Sequence, residues 1–334
     1  MPSLDRTVEA IAHPQGRQLY RAFGRLIAAD APIRLAAPPP VDRGDPDVAL
    51  TQCEEAPQAD WQAAVERYAT RPAQGRDQPD FRFFDLPDRA VIRIEGSADV
   101  HVRDGAIDFH LREPSRAFLA EIVLGGLGLA LWFERSGIAT LHGSAADIDG
   151  QGVGFLATGG TGKSSLVAYL TALGHPLITE DLLVTSWEAD TPRVEPGLSQ
   201  LRLWPEQAAR YVADWESLDQ PHPRFSKRRL LVGEGGLGRL APHPVPLRRL
   251  YVLERTDDPS FEVTLTETSG ADGLWYLLHH SYLSEVGEGF GWQARRLGQL
   301  AQLLGKVPVR LLRFRSGEDQ LPAIRAAIHA DLTR

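Results

Sequence analysis

The chain has 334 residues, of which 43% are hydrophobic and 24% charged, a composition typical of a globular protein rather than a disordered one. The 36 basic and 44 acidic side chains give a net charge of −8, so no overall positive field attracts nucleic acid or an anionic membrane, and neither is expected as a partner. The single cysteine, Cys53, excludes an internal disulfide, and the first 16 residues contain no apolar signal segment, so a cytoplasmic location is expected.

The first 114 residues predict a β-rich accessory domain. Apolar residues recur at helix-like intervals over residues 19–27, which indicates a short helix. From residue 81 to residue 112 the pattern changes to alternation of apolar and polar side chains, which predicts a small antiparallel sheet. Asp104 and Gly105 stand between two of the alternating runs, where they predict a type I′ hairpin turn.

A second domain is expected to cover residues 115–334 and to begin with a helix. Ser115 stands where a helix N-cap is expected, and the apolar residues that follow predict a buried helix that ends near Gly137. Two strands are predicted next, over residues 138–148 and 153–156, and the sequence Asp149-Gly-Gln-Gly indicates a turn between them.

A glycine-rich segment follows the second of these strands and precedes a helical pattern. It reads Ala157-Thr158-Gly159-Gly160-Thr161-Gly162-Lys163-Ser164, with Ala157 where the usual phosphate-loop pattern has glycine. The order of strand, glycine-rich loop and helix predicts a phosphate-binding loop, because glycines let backbone N–H groups turn toward phosphate oxygens and a helix N-terminus attracts anions. The alternative is a glycine-rich turn with a chance Lys-Ser.

The predicted loop assigns roles to individual residues in binding Mg·ATP. Lys163 would reach the β- and γ-phosphates, and the hydroxyl of Ser164 would bind Mg²⁺. The remaining nucleotide-binding residues are expected to be Thr158, Gly159, Gly160, Thr161, Gly162 and Ser165.

Two adjacent carboxylates, Glu180 and Asp181, end a short predicted strand over residues 176–179. Neighbouring side chains at the end of a strand point to opposite sides, so one carboxylate could face the metal and the other an attacking hydroxyl. We expect Asp181 to be a metal ligand, and Asp181, Glu180 and His142 to be the catalytic residues, with His142 tuning the base or sharing its proton. The alternatives are a solvated turn for the acidic pair and a core histidine for His142.

A local cationic cluster, Ser226-Lys227-Arg228-Arg229, interrupts this acidic chain. Lys227 and Arg228 could clamp ATP phosphates or an acidic acceptor, and a solvated basic loop is the alternative. Upstream, Arg202 or Glu195 could also lie near the site. The later part of the chain predicts strands over residues 250–253, 261–265 and 309–314 and helices over residues 270–284, 292–304 and 321–332.

The ordered set of Leu141-His142-Gly143, the turn, the glycine-rich loop and the acidic pair resembles the catalytic domain of HPr kinase/phosphorylase, over residues 138–315. The resemblance implies an α/β (α+β) fold with a phosphate-loop core and a mixed sheet, related to phosphoenolpyruvate carboxykinase. It implies that His142 is the family histidine, that Lys163 and Ser164 are the ATP and Mg²⁺ residues, and that Glu180 replaces the first aspartate of the family's acidic pair.

The resemblance also implies an activity, that of an ATP- and Mg²⁺-dependent kinase acting on a serine hydroxyl of a peptide or small protein. The Arg-Gly-Leu-Gly signature of the enzymes that act on HPr is missing from residues 194–204, which argues for another acceptor. Some relatives are similar to the serine kinases of lasso-peptide biosynthesis, and a homo-oligomer is compatible with the family. The alternatives are a small-molecule kinase and a nucleotide-binding regulator without transfer activity.

Overall fold

The structure, a computed structural model, describes residues 17–30, 35–36, 44–72 and 77–334. The chain divides into two compact units, of which the first ends at Trp132 and the second is Phe133–Arg334. The sequence had predicted the boundary after residue 114. No helix in the described residues is long and apolar enough to cross a membrane.

The first unit is built on one eight-stranded sheet. Its strands are β1 (Gln18–Ala22), β2 (Arg25–Ala29), β3 (Val48–Cys53), β4 (Val65–Ala69), β5 (Phe81–Asp85), β6 (Ala90–Ile94), β7 (Ala98–Arg103) and β8 (Ala106–Leu111). Their order across the sheet is β1-β2-β3-β8-β7-β6-β5-β4. Strands β5 to β8 form an antiparallel meander, which confirms the sheet predicted over residues 81–112.

Residues 19–27 form a β-hairpin, so the predicted helix is wrong. Phe23 and Gly24 are the two central turn residues, and their φ values of 55° and 70° are those of a type I′ turn. Strand β2 pairs with β3, with Ile27 opposite Val48, and this non-local pairing outweighs a weak local helix pattern.

The hairpin between β7 and β8 is confirmed, but its turn is not of type I′. Of its two central residues, Gly105 has a φ of 70° whereas Asp104 is not left-handed, and a type I′ turn needs both. A single glycine at the second central position is sufficient to reverse the chain there.

The helix predicted from Ser115 is present in two short pieces, α1 (Leu119–Val123) and α2 (Leu129–Arg135), joined by a π-helical stretch over Leu124–Gly128. Ser115 does not cap either piece. It lies in a 3₁₀ turn, Pro114–Arg116, where its own backbone N–H donates to the side chain of Glu113.

The second unit contains a mixed sheet with helices on both faces. The strands are β9 (Thr140–Ile148), β10 (Gln151–Leu156), β11 (Leu177–Thr179), β12 (Leu182–Glu188), β13 (Thr191–Val194), β14 (Gln200–Leu203), β15 (Arg228–Leu231), β16 (Val245–Thr256), β17 (Thr264–Glu267) and β18 (Val309–Arg315). The helices are α3 (Lys163–Ala172), α4 (Pro205–Ala208), α5 (Gly270–His279), α6 (Ser284–Gly289), α7 (Gln293–Leu304) and α8 (Leu321–Leu332). With two large mixed sheets and these helices, the fold class is α/β.

The main sheet of this unit runs β10-β9-β12-β13-β16-β18-β17, and β10 also pairs with β16. Strand β10 is antiparallel to β9 and parallel to β16, which gives the sheet its mixed character. Strands β14 and β15 form a separate two-stranded ribbon. The strands predicted over residues 138–148 and 153–156 are confirmed, and Asp149 (φ 55°) and Gly150 (φ 82°) make the tight turn between them.

Side chains that alternate along the central strands fill two cores, one on each face of the sheet. Phe155 of β10 and Tyr251 of β16 join the core covered by α3 and α8, whereas Leu156 and Leu250 join the core covered by α5 and α7. Burial on both faces fixes β10 in the centre of the layer, and the loop that leaves its carboxyl end is therefore anchored at the edge of a rigid sheet.

The helix predicted over residues 270–284 ends early, at His279, although its start and the helix over residues 321–332 are confirmed. The chain turns at His280 because it then pairs with the beginning of β9. Ser281 forms an isolated antiparallel bridge with Leu141, and the backbone N–H of Tyr282 donates to Thr140 O at 2.9 Å. This pairing carries residues 280–282 to the candidate site.

Candidate active site

The glycine loop, residues 157–162, connects the end of β10 to the first turn of α3. Gly160 (φ 83°) and Gly162 (φ 113°) adopt left-handed conformations that glycine tolerates best, and Gly162 is the N-cap of the helix. Thr158, Gly159 and Gly160 are exposed, and a hydrogen bond of 3.1 Å joins the hydroxyls of Thr158 and Thr161. A β-carbon built at Gly159 or Gly160 would contact nothing, so the loop leaves open space above the helix N-terminus.

Lys163 begins α3 and folds over the glycine loop. Its ammonium donates to the carbonyl oxygen of Ala157 at 2.6 Å, and the side chain is largely buried. Burial lowers the pKa of Lys163, because a charged ammonium loses hydration there, while the nearby carboxylates of Asp181 and Glu180 act in the opposite direction. Ser165 follows in the same turn and is half-buried.

The hydroxyl of Ser164 donates to Glu180 Oε1 at 2.8 Å. Glu180 and Asp181 occupy the corner between β11 and β12, where the backbone of Asp181 is left-handed with a φ of 72°. The alternating geometry of a strand therefore does not hold at the corner, and the two carboxylates do not separate to opposite sides as the sequence predicted.

Both carboxylates contact one guanidinium, that of Arg202 on β14. Arg202 Nη2 donates to Asp181 Oδ2 at 2.7 Å, and Arg202 Nε lies 3.7 Å from Glu180 Oε2. The sequence had placed Arg202 near the site only as one of two open choices. The other, Glu195, lies buried at a position where its backbone N–H donates to Val184 O.

The environment separates the two carboxylates in acidity. Burial raises the pKa of Glu180, and the attraction of Arg202 only partly offsets this effect. Burial would also raise the pKa of Asp181, but the charge of Arg202 and the hydroxyl of Tyr282 hold it below its usual value. Asp181 is thus the more readily ionised member of the pair. Burial lowers the pKa of Arg202, but the attraction of the two carboxylates outweighs this effect and raises the pKa above its usual value.

His142 and Tyr282 flank Asp181 from a third direction. The Tyr282 hydroxyl donates to Asp181 Oδ2 at 3.1 Å, and His142 Nε2 lies 3.6 Å from Asp181 Oδ1. The two rings stack with centroids 5.5 Å apart. Burial lowers the pKa of His142, so the ring is neutral near pH 7, and its backbone N–H donates to His280 O at 2.7 Å. The oxygen Oδ2 of Asp181 thus has two donors, whereas Oδ1 faces the imidazole.

Tyr282 is a site residue that the sequence analysis missed. It lies within the predicted helix over residues 270–284, and no motif surrounds it. Only the pairing of residues 281 and 282 with β9 brings its hydroxyl to Asp181.

Lys227 and Arg228, the two predicted phosphate-binding or acceptor-binding cations, make contacts in different parts of the second unit. Lys227 Nζ lies 5.4 Å from the ring centroid of Trp204, and its charge contributes, after burial, to the lowered pKa of Lys163. Arg228 instead donates to Leu218 O at 3.1 Å and lies over the ring of Trp215. Lys227 therefore belongs with the glycine loop and the acidic pair, whereas the contacts of Arg228 are directed away from them.

Among the residues that the structure describes, no group of three or more His, Cys, Asp or Glu side chains could hold a metal ion by itself. A hydroxyl and a carboxylate 2.8 Å apart, as at Ser164 and Glu180, are the oxygen donors that Mg²⁺ accepts when phosphates complete its coordination. The residues present therefore fit a magnesium ion brought in with a nucleotide.

Comparison with known proteins gave no matching family model and no matching curated protein. Among solved structures, the chain is similar to the Hpr(Ser) kinase/phosphatase from Coxiella burnetii, at 13% sequence identity over 58% of this chain and 97% of that chain, with a TM-score of 0.28. A similarity at this TM-score supports no conclusion about fold or function, so the chain's own residues must carry any functional assignment.

Proposed function

We propose that this protein is an ATP- and Mg²⁺-dependent kinase that phosphorylates a serine hydroxyl of a peptide or small protein. The observation that carries the proposal is the 2.8 Å contact between Ser164, at the start of the helix after the glycine loop, and Glu180, whose neighbour Asp181 is held ionised. A phosphate cradle, two oxygen donors for Mg²⁺ and a separate carboxylate base are the three parts that phosphoryl transfer requires.

The nucleotide side of the proposal uses the glycine loop and α3. The backbone N–H groups of residues 159–162 and the N-terminus of α3 would bind the phosphates, and Lys163 would exchange its bond with Ala157 O for a phosphate oxygen. Mg·ATP, when bound, supplies the γ-phosphoryl group. Ser164 and Glu180 are the residues we assign to the metal, so Glu180 takes the role that the sequence had given to Asp181.

The acceptor side of the proposal uses Asp181. Its Oδ2 is held by Arg202 and Tyr282, which leaves Oδ1 to accept the proton of the serine hydroxyl. His142, neutral and 3.6 Å from Oδ1, is placed to share that proton. The guanidinium of Arg202 lowers the pKa of both adjacent carboxylates and so favours their ionised forms against the effect of burial.

The choice of a peptide acceptor rests on the sequence. Because the chain lacks the Arg-Gly-Leu-Gly signature of enzymes that act on HPr, we propose a precursor peptide of the lasso-peptide kind as the first acceptor class to test. We also propose that the second unit has the phosphate-loop core shared by HPr kinases and phosphoenolpyruvate carboxykinase, on the order of strand β10, glycine loop and α3.

Intact-mass spectrometry tests the proposal. The purified chain is incubated with Mg·ATP and three classes of acceptor, namely HPr, serine-terminated precursor peptides and a metabolite mixture. A gain of one phosphate on a peptide, absent with Asp181→Asn, supports the peptide kinase. Transfer to a metabolite alone would make the protein a small-molecule kinase. No transfer to any acceptor, with ATP binding intact in the wild type and weakened by Lys163→Ala, would contradict the kinase and leave a nucleotide-binding regulator.

A further inference from the structure

The ribbon of β14 and β15 presents one polar face beside the acidic pair. Its register places Leu203 opposite Arg228 and Arg202 opposite Arg229. Side chains alternate along a strand, so Arg202 and Trp204 lie on the same face. The opposite face is apolar and packs into the core with Leu201, Leu203 and Leu230.

Trp204 and Lys227 extend this polar face beyond Arg202. Trp204 is 37% exposed, and the ammonium of Lys227 lies 5.4 Å from its ring centroid, within the range of a cation–π contact. In the described part of the chain, Glu180 and Asp181 form their ion pairs with Arg202, and the charge of Lys227 acts on Glu180 only from beyond ion-pair distance. Among the described residues, Lys227 has no carboxylate within ion-pair distance and lies next to an exposed aromatic ring, so it is available to a ligand.

The position of Arg202 shows which ligand this face meets. Arg202 donates at 2.7 Å to Asp181, the proposed base, to which the acceptor hydroxyl must come, and lies farther, at 3.7 Å, from Glu180, the proposed metal ligand. The phosphates have their own cation in Lys163 at the start of α3. In an in-line transfer the acceptor and the leaving group lie on opposite sides of the transferred phosphoryl group. The face of the ribbon that holds Arg202 therefore lies against the carboxylate that we assign to the acceptor.

We infer that Trp204 and Lys227 bind the acceptor, and that the acceptor peptide carries a carboxylate close to its serine. Lys227 pairs with that carboxylate while Trp204 packs against the neighbouring peptide backbone or side chain. The inference rests on the proposed kinase function and decides between the two ligands, ATP phosphates and an acidic acceptor, that the sequence left open for Lys227. The carboxylate could belong to an Asp or Glu side chain or to the C-terminus of the peptide.

Matched serine peptides test the inference. The peptides differ only in one residue beside the serine, which is Asp, Asn or Lys, and each is made with a free and with an amidated C-terminus. We expect the wild type to favour Asp over Lys, or a free over an amidated C-terminus, by roughly tenfold in kcat/KM, the size expected when attraction replaces repulsion at a partly exposed pair. Lys227→Glu should reverse the preference, and Trp204→Leu should raise KM for every peptide while KM for ATP stays unchanged.

Arg248→Glu is the matched control, because it makes the same charge change at an exposed residue of β16 beside the start of β10, at the end remote from the glycine loop. It should leave the preference unchanged. The inference is overturned if the wild type labels acidic and basic peptides equally and also free and amidated peptides equally, or if Lys227→Glu raises KM for ATP and leaves the peptide preference intact. Absence of label on every peptide would overturn the proposed peptide kinase and the inference with it.

Discussion

Replacing Arg202 by glutamine tests the arrangement of the site most directly. The glutamine amide nitrogen replaces Nε as a hydrogen-bond donor, but the variant loses Nη2, which bonds Asp181, and the positive charge shared by Asp181 and Glu180. Arg202 lowers the pKa of both carboxylates. Its removal raises both values, so a larger fraction of each group is protonated at a given pH, and the acid side of the pH–activity profile should move to higher pH.

The size of the loss follows from the contacts. The 2.7 Å bond between Arg202 Nη2 and Asp181 Oδ2 is charge-assisted and mostly shielded from water, and a bond of this kind contributes about 1.5–3 kcal/mol. Since about 1.4 kcal/mol corresponds to a factor of ten in rate, kcat/KM should fall roughly 10- to 100-fold at neutral pH. Arg202→Lys keeps the positive charge but loses the planar guanidinium with its several donors. Its pH profile should therefore stay close to that of the wild type, whereas its kcat/KM should still fall.

The assay is phosphate transfer to the acceptor that the wild type labels, measured from pH 5 to pH 9 for the wild type, Arg202→Gln and Arg202→Lys. Thermal unfolding of each variant shows whether the fold is kept. An acid limb that stays in place in Arg202→Gln, in a folded protein, would show that the ionisation of Asp181 and Glu180 does not control the rate. The roles proposed for both carboxylates would then be wrong.

Three further changes separate the parts of the molecule. Asp181→Asn should lower turnover by roughly 10²- to 10⁴-fold, the usual contribution of a general base, while calorimetric titration shows unchanged ATP affinity. Lys163→Ala should weaken that affinity itself, and full-strength ATP binding would exclude Lys163 as a phosphate ligand. Asp331→Ala, which leaves the buried Arg249 without its 3.0 Å partner, should cost about 3–5 kcal/mol in the free energy of unfolding measured with urea, whereas Asp319→Asn at an exposed ion pair should change it little.

Elements that depend on local chemistry could be predicted from the sequence. The alternation over residues 81–112 was sufficient for the meander of β5 to β8, because each strand there pairs with its neighbour in the chain. The glycine loop and α3 were predictable for the same reason, since strand, glycines and helix follow one another directly. The sequence also predicted that His142, on β9, and the acidic pair, at the β11–β12 corner, lie near each other and near the loop.

What the sequence could not provide are contacts between segments far apart in the chain. Arg202 reaches Asp181 from β14, which belongs to a separate ribbon, and Tyr282 reaches it because residues 281 and 282 pair with β9. The helix predicted over residues 19–27 was wrong for a related reason. These residues form a hairpin whose second strand pairs with β3, which follows only after a long connection. Neither the 3.6-residue nor the two-residue period carries information of this kind.

The backbone of Asp181 gives an independent reason to regard this residue as functional. A corner with a φ of 72° is formed at lower cost by glycine or asparagine, neither of which has a charge to bury. Asp181 adds a mostly buried carboxylate, to which Arg202 and Tyr282 donate, and the backbone N–H of Gly143 holds the corner by donating to the backbone carbonyl oxygen of Asp181 at 3.1 Å. A turn by itself requires neither a left-handed aspartate nor a buried charge, and each of these features destabilises the fold. Both are explained if the carboxylate of Asp181 has to be ionised at a fixed position.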